Sequence, residues 1–279
     1  MRKINSLQIG EKIYQMLSQI GYKTTSEAYS ALKKAYDNES VENSKFALEV
    51  LLDNLKIAEE KKMPICQDTG MCVVVLEIGQ EVFIEGDYLI DVINQFVKKA
   101  YADNFYRKST CDPLTRENFG DNTPAMINTE IVKGDKVSIT VLQKGFGSEN
   151  MSKIFMLKPS ADKDQIIDCV VKTVLEAGSN PCPPLVLGVG IGGTFDKCAY
   201  ISKKALLRPI GSKNPRKDVS ELEDKIQEKI NSLKIGAMGF KGVTTSLATH
   251  VEILPTHIAG LPVAVNVQCH AVRVKKEVI

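Results

Sequence analysis

The chain has 279 residues, 43% hydrophobic and 25% charged, with 36 basic against 34 acidic side chains and a net charge of +2. That is about twice a ~150-residue domain with the composition of a core-forming globule, which excludes disordered, collagen-like and coiled-coil chains. No apolar run approaches the ~18 residues of a membrane span, the charge balance and 6% aromatic content leave no nucleic-acid footprint, and the N-terminus lacks the apolar stretch of an export signal.

Leu7, Ile13, Leu17 and Ile20 recur at helical spacing before Gly21. Thr24-Thr25-Ser26-Glu27 has capping-box spacing and opens a second helix through Tyr29, Leu32 and Tyr36. Phe46, Val50, Leu51, Leu55 and Ile57 mark a third. Val73–Ile78 is a β-branched run and predicts a buried strand, and Asp87 begins a helix with Ile90, Ile93 and Val97 on its apolar side. Met126–Leu142 alternates with period two around Lys133-Gly134-Asp135, which predicts a hairpin.

A helix is expected from about Asp164 to Ala177, stopped by Gly178. Leu185–Ile191 reads as a strand, Phe195–Leu207 as a helix and Pro209–Val219 as a polar linker. Ser220-Glu221-Leu222-Glu223 reads as a capping box opening another helix, and Thr244–Leu254 and Leu261–Val274 as two strands joined by Pro255–Gly260. Helices and strands mix without a regular alternation. The expectation is an α+β fold: a helical N-terminal segment (about 1–62) packed on a mixed α/β region with antiparallel strands, within one domain covering 1–279.

Seven cysteines stand in this chain, an odd number without an export signal. A cytoplasmic protein with reduced thiols is expected, not a disulfide framework. Cys72, Cys111, Cys169 and Cys198 have the bland context of small structural residues. Three others are set differently. Cys66 lies in the polar turn Pro64-Ile65-Cys66-Gln67-Asp68-Thr69-Gly70, and Cys182 in Asn180-Pro181-Cys182-Pro183-Pro184, where prolines forbid helix. Cys269 lies in Asn266-Val267-Gln268-Cys269-His270 near a strand end. No C-x-x-C occurs, which disfavours zinc ribbons and ferredoxin-type binding. Three separated loop cysteines could converge on a four-iron cluster and leave one iron without a protein ligand, the open position that Lewis-acid catalysis needs.

Gly188-Val189-Gly190-Ile191-Gly192-Gly193 is a formal G-x-G-x-x-G between an apolar run and a helix. A dinucleotide fold needs an acidic residue ~20 positions on, after a second strand, and Gly211–Pro215 is a polar loop instead. The preferred reading is a loop whose backbone passes close to something, such as an anionic ligand at a helix N-terminus. Lys144-Gly145-Phe146-Gly147-Ser148-Glu149-Asn150 is either a polar turn or a set of backbone N–H groups presented to a carboxylate. Of the three histidines, His250 reads as a packed strand residue. His257, in the Pro255–Gly260 turn, is the better acid–base candidate or a turn residue bonded to a nearby carbonyl.

Taken in order, Ile65–Gly70, Gly120-Asp121-Asn122-Thr123-Pro124, Lys144–Asn150, Pro181–Pro184, Gly188–Asp196 and Pro255–Asn266 resemble the motifs of the iron–sulfur hydro-lyases of the class I fumarase and tartrate dehydratase family. The resemblance runs from about residue 5 to residue 274. It implies a [4Fe–4S] cluster held by Cys66, Cys182 and Cys269, and reversible addition or removal of water at a small dicarboxylate, fumarate/(S)-malate first and L-tartrate as the alternative. It implies that Gln67 and Arg107 bind substrate, that Gly145 and Gly147 offer backbone N–H groups to a carboxylate, and that Asp68 with His257 forms the acid–base pair. The family is found as one long chain or as α and β subunits. This chain resembles the α subunit, so a separate β subunit in an α2β2-type assembly is implied, with the proton-abstracting base on the β part. Met238-Gly239-Phe240-Lys241-Gly242-Val243-Thr244 departs from a more glycine-rich version and puts the role of Lys241 in doubt. The non-enzymatic alternative is a cluster-carrying sensing or interaction module.

Overall fold

The computed structural model describes all 279 residues. In chain order its elements are β1 (Arg2–Asn5), α1 (Ser6–Ile20), α2 (Ser26–Asn38), α3 (Glu42–Lys61), β2 (Met71–Gly79), β3 (Val82–Glu85), α4 (Leu89–Asp103), β4 (Met126–Val132) and β5 (Val137–Lys144). There follow α5 (Phe146–Glu149), β6 (Lys153–Leu157), α6 (Lys163–Ala177), β7 (Leu185–Gly193), α7 (Phe195–Ala205), α8 (Lys217–Ser232), β8 (Ser246–Thr256), β9 (Leu261–Gln268) and β10 (Val274–Val278). The fold is α+β, as the irregular mixture predicts, and none of its helices is long and apolar enough to cross a membrane.

The chain divides into two compact units. Unit 1 is Met1–Thr25, Asn54–Phe146 and Arg273–Ile279; unit 2 is Ser26–Asp53 and Gly147–Val272. The helical N-terminal segment is therefore shared out, α1 to the first unit and α2 to the second.

In unit 1 the main sheet has the order β10-β5-β2-β4. β2 is buried on both faces (Cys72 to Leu76 are all buried) and takes an interior position. That placement overturns the expected hairpin: β4 pairs parallel with β2, β5 pairs antiparallel with β2, and β4 and β5 never touch as partners. The Lys133–Lys136 turn instead crosses the end of β2, where Gly79 donates to Lys136 O at 2.8 Å and Glu81 to Gly134 O at 3.0 Å. α1 and α4 lay Ile9, Ile13, Leu17, Ile93 and Val97 in one apolar core with the sheet residues Val74, Leu76, Ile139 and Val141.

In unit 2 the sheet has the order β6-β9-β7-β8. Leu187, Val189 and Ile191 of β7 face a core that includes Ile167, Val170 and Val174 of α6 and Leu222, Ile226 and Ile230 of α8. The alternate residues Gly188 and Gly190 meet α7. A Cβ on Gly188 would stand 2.1 Å from Ser202 O, and one on Gly190 2.3 Å from Cys198 O. The glycine-rich segment is thus a strand and not a ligand loop: its missing side chains let α7 lie directly on the sheet.

Two further expectations change. α8 starts at Lys217 and not at Ser220, because Glu223 does not cap the helix. It is fully buried against Arg208, whose Nη1 donates to Glu223 Oε1 at 2.7 Å. The last predicted strand breaks after Gln268, and β10 pairs with β5 in unit 1.

Candidate active site

In unit 1 the turn that carries Cys66, Gln67 and Asp68 is fixed through its main chain. Ile65 N donates to Gly21 O at 2.9 Å and Asn54 Nδ2 to Ile65 O at 2.9 Å. Arg273 Nη1 donates to Asp68 O at 2.7 Å, and the Tyr101 hydroxyl to Gly70 O at 2.9 Å. Gly70 has φ +74°, and a Cβ there would lie 2.6 Å from the Lys144 carbonyl. Only glycine lets the turn lie against the end of β5, next to Gly145.

The Asp68 carboxylate is oriented by two backbone donors, Gly70 N to Oδ1 at 2.9 Å and Phe146 N to Oδ2 at 2.8 Å. The position that a Cβ of Gly145 would fill lies 3.1 Å from Asp68 Oδ2 and 3.3 Å from Arg273 Nη2. The motif Lys144–Phe146 and the Asp68 turn thus enclose a small niche with an acceptor on one side and a cation on the other. Thr69 Oγ1 donates to Arg107 O at 3.0 Å, which ties the Arg107 loop to the same turn. The side chains of Gln67 and Arg107 are exposed beside it.

Three residues that support this turn are not among the site residues read from the sequence. Asn122, 1% exposed, accepts from Ser109 N at 2.7 Å and donates to Gly70 O at 3.2 Å, so the Gly120–Pro124 motif clamps the Arg107 loop. Tyr101 lies on the apolar side of α4. Arg273 is 1% exposed, and its place between Val272 and Val274 in an apparent strand conceals a buried cation. The run Val272-Arg273-Val274 is the one cue that could have found it.

In unit 2 the cysteine loops meet through sheet topology. β7 and β9 are antiparallel neighbours, with Val186 opposite Gln268. The residues just before β7 and just after β9 therefore share one end of the sheet, and these carry Cys182 and Cys269. His270 Nδ1 lies 3.0 Å from Cys182 O and joins the two loops. Cys182 has φ +55°, an unusual conformation for a non-glycine residue that the flanking prolines help to hold. Gly147 is exposed, with its Cβ position 3.7 Å from Asn180 O, so it lies beside the start of the Cys182 loop. Asn266 Nδ2 donates to Glu149 Oε2 at 3.3 Å, and Lys203 pairs with the same carboxylate.

His257 lies elsewhere in unit 2. Thr256 at the end of β8 pairs with Gly193 at the end of β7, so the Pro255–Gly260 turn caps the opposite end of the sheet from Cys182 and Cys269. The turn is exposed, and Ala259 N donates to His257 Nδ1 at 3.1 Å. His250, by contrast, is 1% exposed; burial, and after it the Arg208 charge, push its pKa down to about 4.

The cysteines fall into two groups. Burial pushes the Cys72 thiol up to about 12 and the Cys198 thiol up to about 11, and raises Cys169. These three are inert packing residues, as their context predicts. Cys66, Cys182 and Cys269 are only half-buried and sit on turns or strand ends, and Cys111 is half-buried as well. Neither unit by itself gathers three His, Cys, Asp or Glu side chains into a metal-binding group. Taken each in its own unit, Cys66 on the pinned turn of unit 1 and Cys182 and Cys269 at one end of the unit 2 sheet are half-buried thiols on fixed backbone, the chemistry by which protein ligates iron–sulfur groups.

The sequence profile of the family described as Fumarate hydratase (Fumerase) matches residues 10–278. A Methanocaldococcus jannaschii protein provisionally named L(+)-tartrate dehydratase subunit alpha is 42% identical over 274 residues, 96% of this chain and 96% of its own length. The L(+)-tartrate dehydratase subunits alpha of Escherichia coli K12 and Shigella sonnei are each 28% identical over 270 residues, 95% of this chain and 89% of theirs. A profile that spans nearly the whole sequence, together with these relatives, shows that the chain belongs to the fumarate hydratase family, hydro-lyases of small dicarboxylic acids.

Proposed function

We propose that this chain is the α subunit of a [4Fe–4S]-dependent hydro-lyase that reversibly hydrates or dehydrates a four-carbon dicarboxylate and works with a separate β subunit. The observation that carries the reading is the Cys66–Gly70 turn. A ligand-type thiol, an amide and a backbone-oriented carboxylate follow one another there on main chain that is pinned at the carbonyls of Ile65, Asp68 and Gly70. Such preorganisation is what a site needs to act on developing charge without reorganising.

Cys66, Cys182 and Cys269 are the proposed cluster ligands. When bound, such a cluster supplies a Lewis-acidic iron that eases loss of hydroxide from the substrate. Arg107 offers a guanidinium fork to one substrate carboxylate. The backbone N–H groups of Gly145 and Gly147 receive the other, and Gln67 hydrogen-bonds the substrate beside them. Asp68, held by two backbone donors, delivers a proton to the departing hydroxyl and recovers it in the reverse direction; His257 is the acid–base partner that the family resemblance implies, and its turn stands at the end of the unit 2 sheet away from Cys182 and Cys269. The base that takes the carbon-bound proton is assigned to the β subunit.

Fumarate/(S)-malate is the substrate pair that the family description favours. L-tartrate is the second reading, favoured by the names of the relatives. Anaerobic co-expression with a β subunit and assays on malate, fumarate and both tartrate enantiomers decide between them. Full turnover by the reconstituted chain alone would overturn the division of the site between two subunits. A Cys182→Ser variant that keeps a complete four-iron complement would remove Cys182 from the ligand set.

A further inference from the structure

We propose that Glu39 is a positioning residue for the Cys182 loop: with Ser44 it holds the 236–243 segment in a strained path, and that segment grips the main chain on both sides of Cys182. This rests on the reading of Cys182 as a cluster ligand. All of these residues belong to unit 2. Glu39 lies in the short link between α2 and α3 and is only 4% exposed. Its Oε1 accepts from Ser40 N at 2.9 Å and Val41 N at 3.0 Å, just ahead of α3. Its Oε2 accepts from Ser44 Oγ at 3.1 Å and from Val243 N at 3.0 Å, 204 positions further along the chain. Ser44 is fully buried and extends the grip: its Oγ donates to Glu39 and accepts from Ala237 N at 3.0 Å. One carboxylate and one hydroxyl thus fix the segment near both of its ends. A helix start needs only the first two of these donors satisfied; the other bonds reach a distant loop.

Between those ends the backbone is strained. Met238 and Lys241, neither of them glycine, have φ +52° and +62°. A Cβ at Gly242 (φ +148°) would stand 2.4 Å from Glu39 Oε2 and 2.7 Å from Ser44 Oγ, so only glycine lets the clamp close. Lys241 takes part through its main chain, whose N–H donates to Ile235 O at 2.8 Å, while its side chain is exposed. Strain of this kind persists where surrounding contacts over-determine it, and it collects at functional sites. The contact it serves is with the Cys182 loop. Met238 N donates to Pro183 O at 2.8 Å, and the Cβ position of Gly239 lies 2.5 Å from Ser179 Cβ. Ser179 and Pro183 flank Cys182, whose own N–H donates to Ser179 O at 3.0 Å. Glu39 thus acts on Cys182 through the segment between them.

Ser44→Ala and Glu39→Gln test this in the full apo chain by the rate at which an alkylating reagent labels each cysteine, read by mass spectrometry. Cys182 should label about tenfold faster, the local opening that one lost hydrogen bond allows. Cys198, buried in the same unit, should stay protected. A merely structural role for Glu39 predicts a lower thermal midpoint with no change at Cys182, and that result overturns the proposal. Labelling of Cys198 together with Cys182 marks a general opening of unit 2 and overturns it as well. Ser44→Ala is the smaller change and decides the matter where Glu39→Gln does not fold.

A second readout uses the chain assembled with its β subunit and reconstituted with iron and sulfide. Both variants should lose visible cluster absorbance in air about tenfold faster than the wild type, the usual weight of residues that support metal ligands. Faster Cys182 labelling with wild-type retention of the absorbance overturns the positioning role and leaves the ligand assignment standing. A full four-iron complement in Cys182→Ser overturns the ligand assignment and with it the positioning role, while a clamp measured by labelling of the apo chain stands.

Discussion

Arg273 Nη1 lies 2.7 Å from the carbonyl oxygen of Asp68, so a buried guanidinium at the entrance of β10 holds the turn that follows Cys66. Arg273→Met removes a charge-assisted hydrogen bond and is expected to cost about 2 kcal/mol in urea unfolding of the apo chain. Arg273→Lys, which keeps one donor and the charge, should lose less. In the assembled enzyme the methionine variant should lower kcat more than it raises KM, because it loosens Asp68 without removing a proposed substrate-binding group.

The close approach of α7 to β7 gives a second expectation. Gly190→Ala places a methyl group 2.3 Å from Cys198 O, a backbone atom that cannot swing away. The helix has to lift from the sheet, at a cost of about 2 kcal/mol or more. A fall in thermal midpoint checks this, with Gly260→Ala as the contrast, since no atom lies near its Cβ position and its backbone conformation suits any residue.

Acid should weaken the fold through His250. Its folded pKa of about 4 is below the ordinary histidine value because burial, and then Arg208, disfavour the charged ring. Between pH 4 and 6.5 the unfolded chain binds the extra proton, so the contribution is intact above 6.5 and is lost as pH falls towards 4. The full loss is up to about 3 kcal/mol. Urea titrations at pH 7 and pH 4.5 measure it, and His250→Phe should flatten the difference.

Thiol chemistry separates the cysteine classes. In the apo chain, alkylation at pH 8 should reach Cys66, Cys111, Cys182 and Cys269 quickly and Cys72 and Cys198 only after unfolding, since burial holds the latter two at about 12 and 11. Reconstitution with iron and sulfide should protect Cys66, Cys182 and Cys269 and leave Cys111 reactive. Mass spectrometry of the labelled peptides reads both outcomes, and protection of Cys111 in place of Cys269 would contradict the proposed ligand set.

Much of this architecture is legible in the sequence where local chemistry decides it. Period and punctuation locate α1, α6, β2 and β7 within a few residues, and prolines around Cys182 single out its loop. Pairing is not local. The alternation of Met126–Leu142 reads as a hairpin because nothing within it announces that β2 inserts between its halves. The glycines of β7 read as a ligand loop because their real neighbour, α7, follows the strand in sequence but is set against it only by tertiary packing. Ser220-Glu221-Leu222-Glu223 satisfies a capping pattern, yet Arg208 claims Glu223 from outside the helix. The Gly120–Pro124 motif contains Asn122 without telling what it holds, and Arg273 lies outside every motif: each holds the main chain of a turn far away in sequence.

The position of β10 bears on the order in which the protein is made. β10 is hydrogen-bonded along β5, and Ile279 N and O both bond Val137, so the sheet of unit 1 waits for residues 274–279. On a ribosome, Gly147–Val272 emerges before those residues do. Until they arrive, the earlier-made strand β5 presents an unpaired edge. Strands made early thus complete their native pairing only with β10, and until then the open edge of β5 exposes a newly made chain to strand-mediated aggregation.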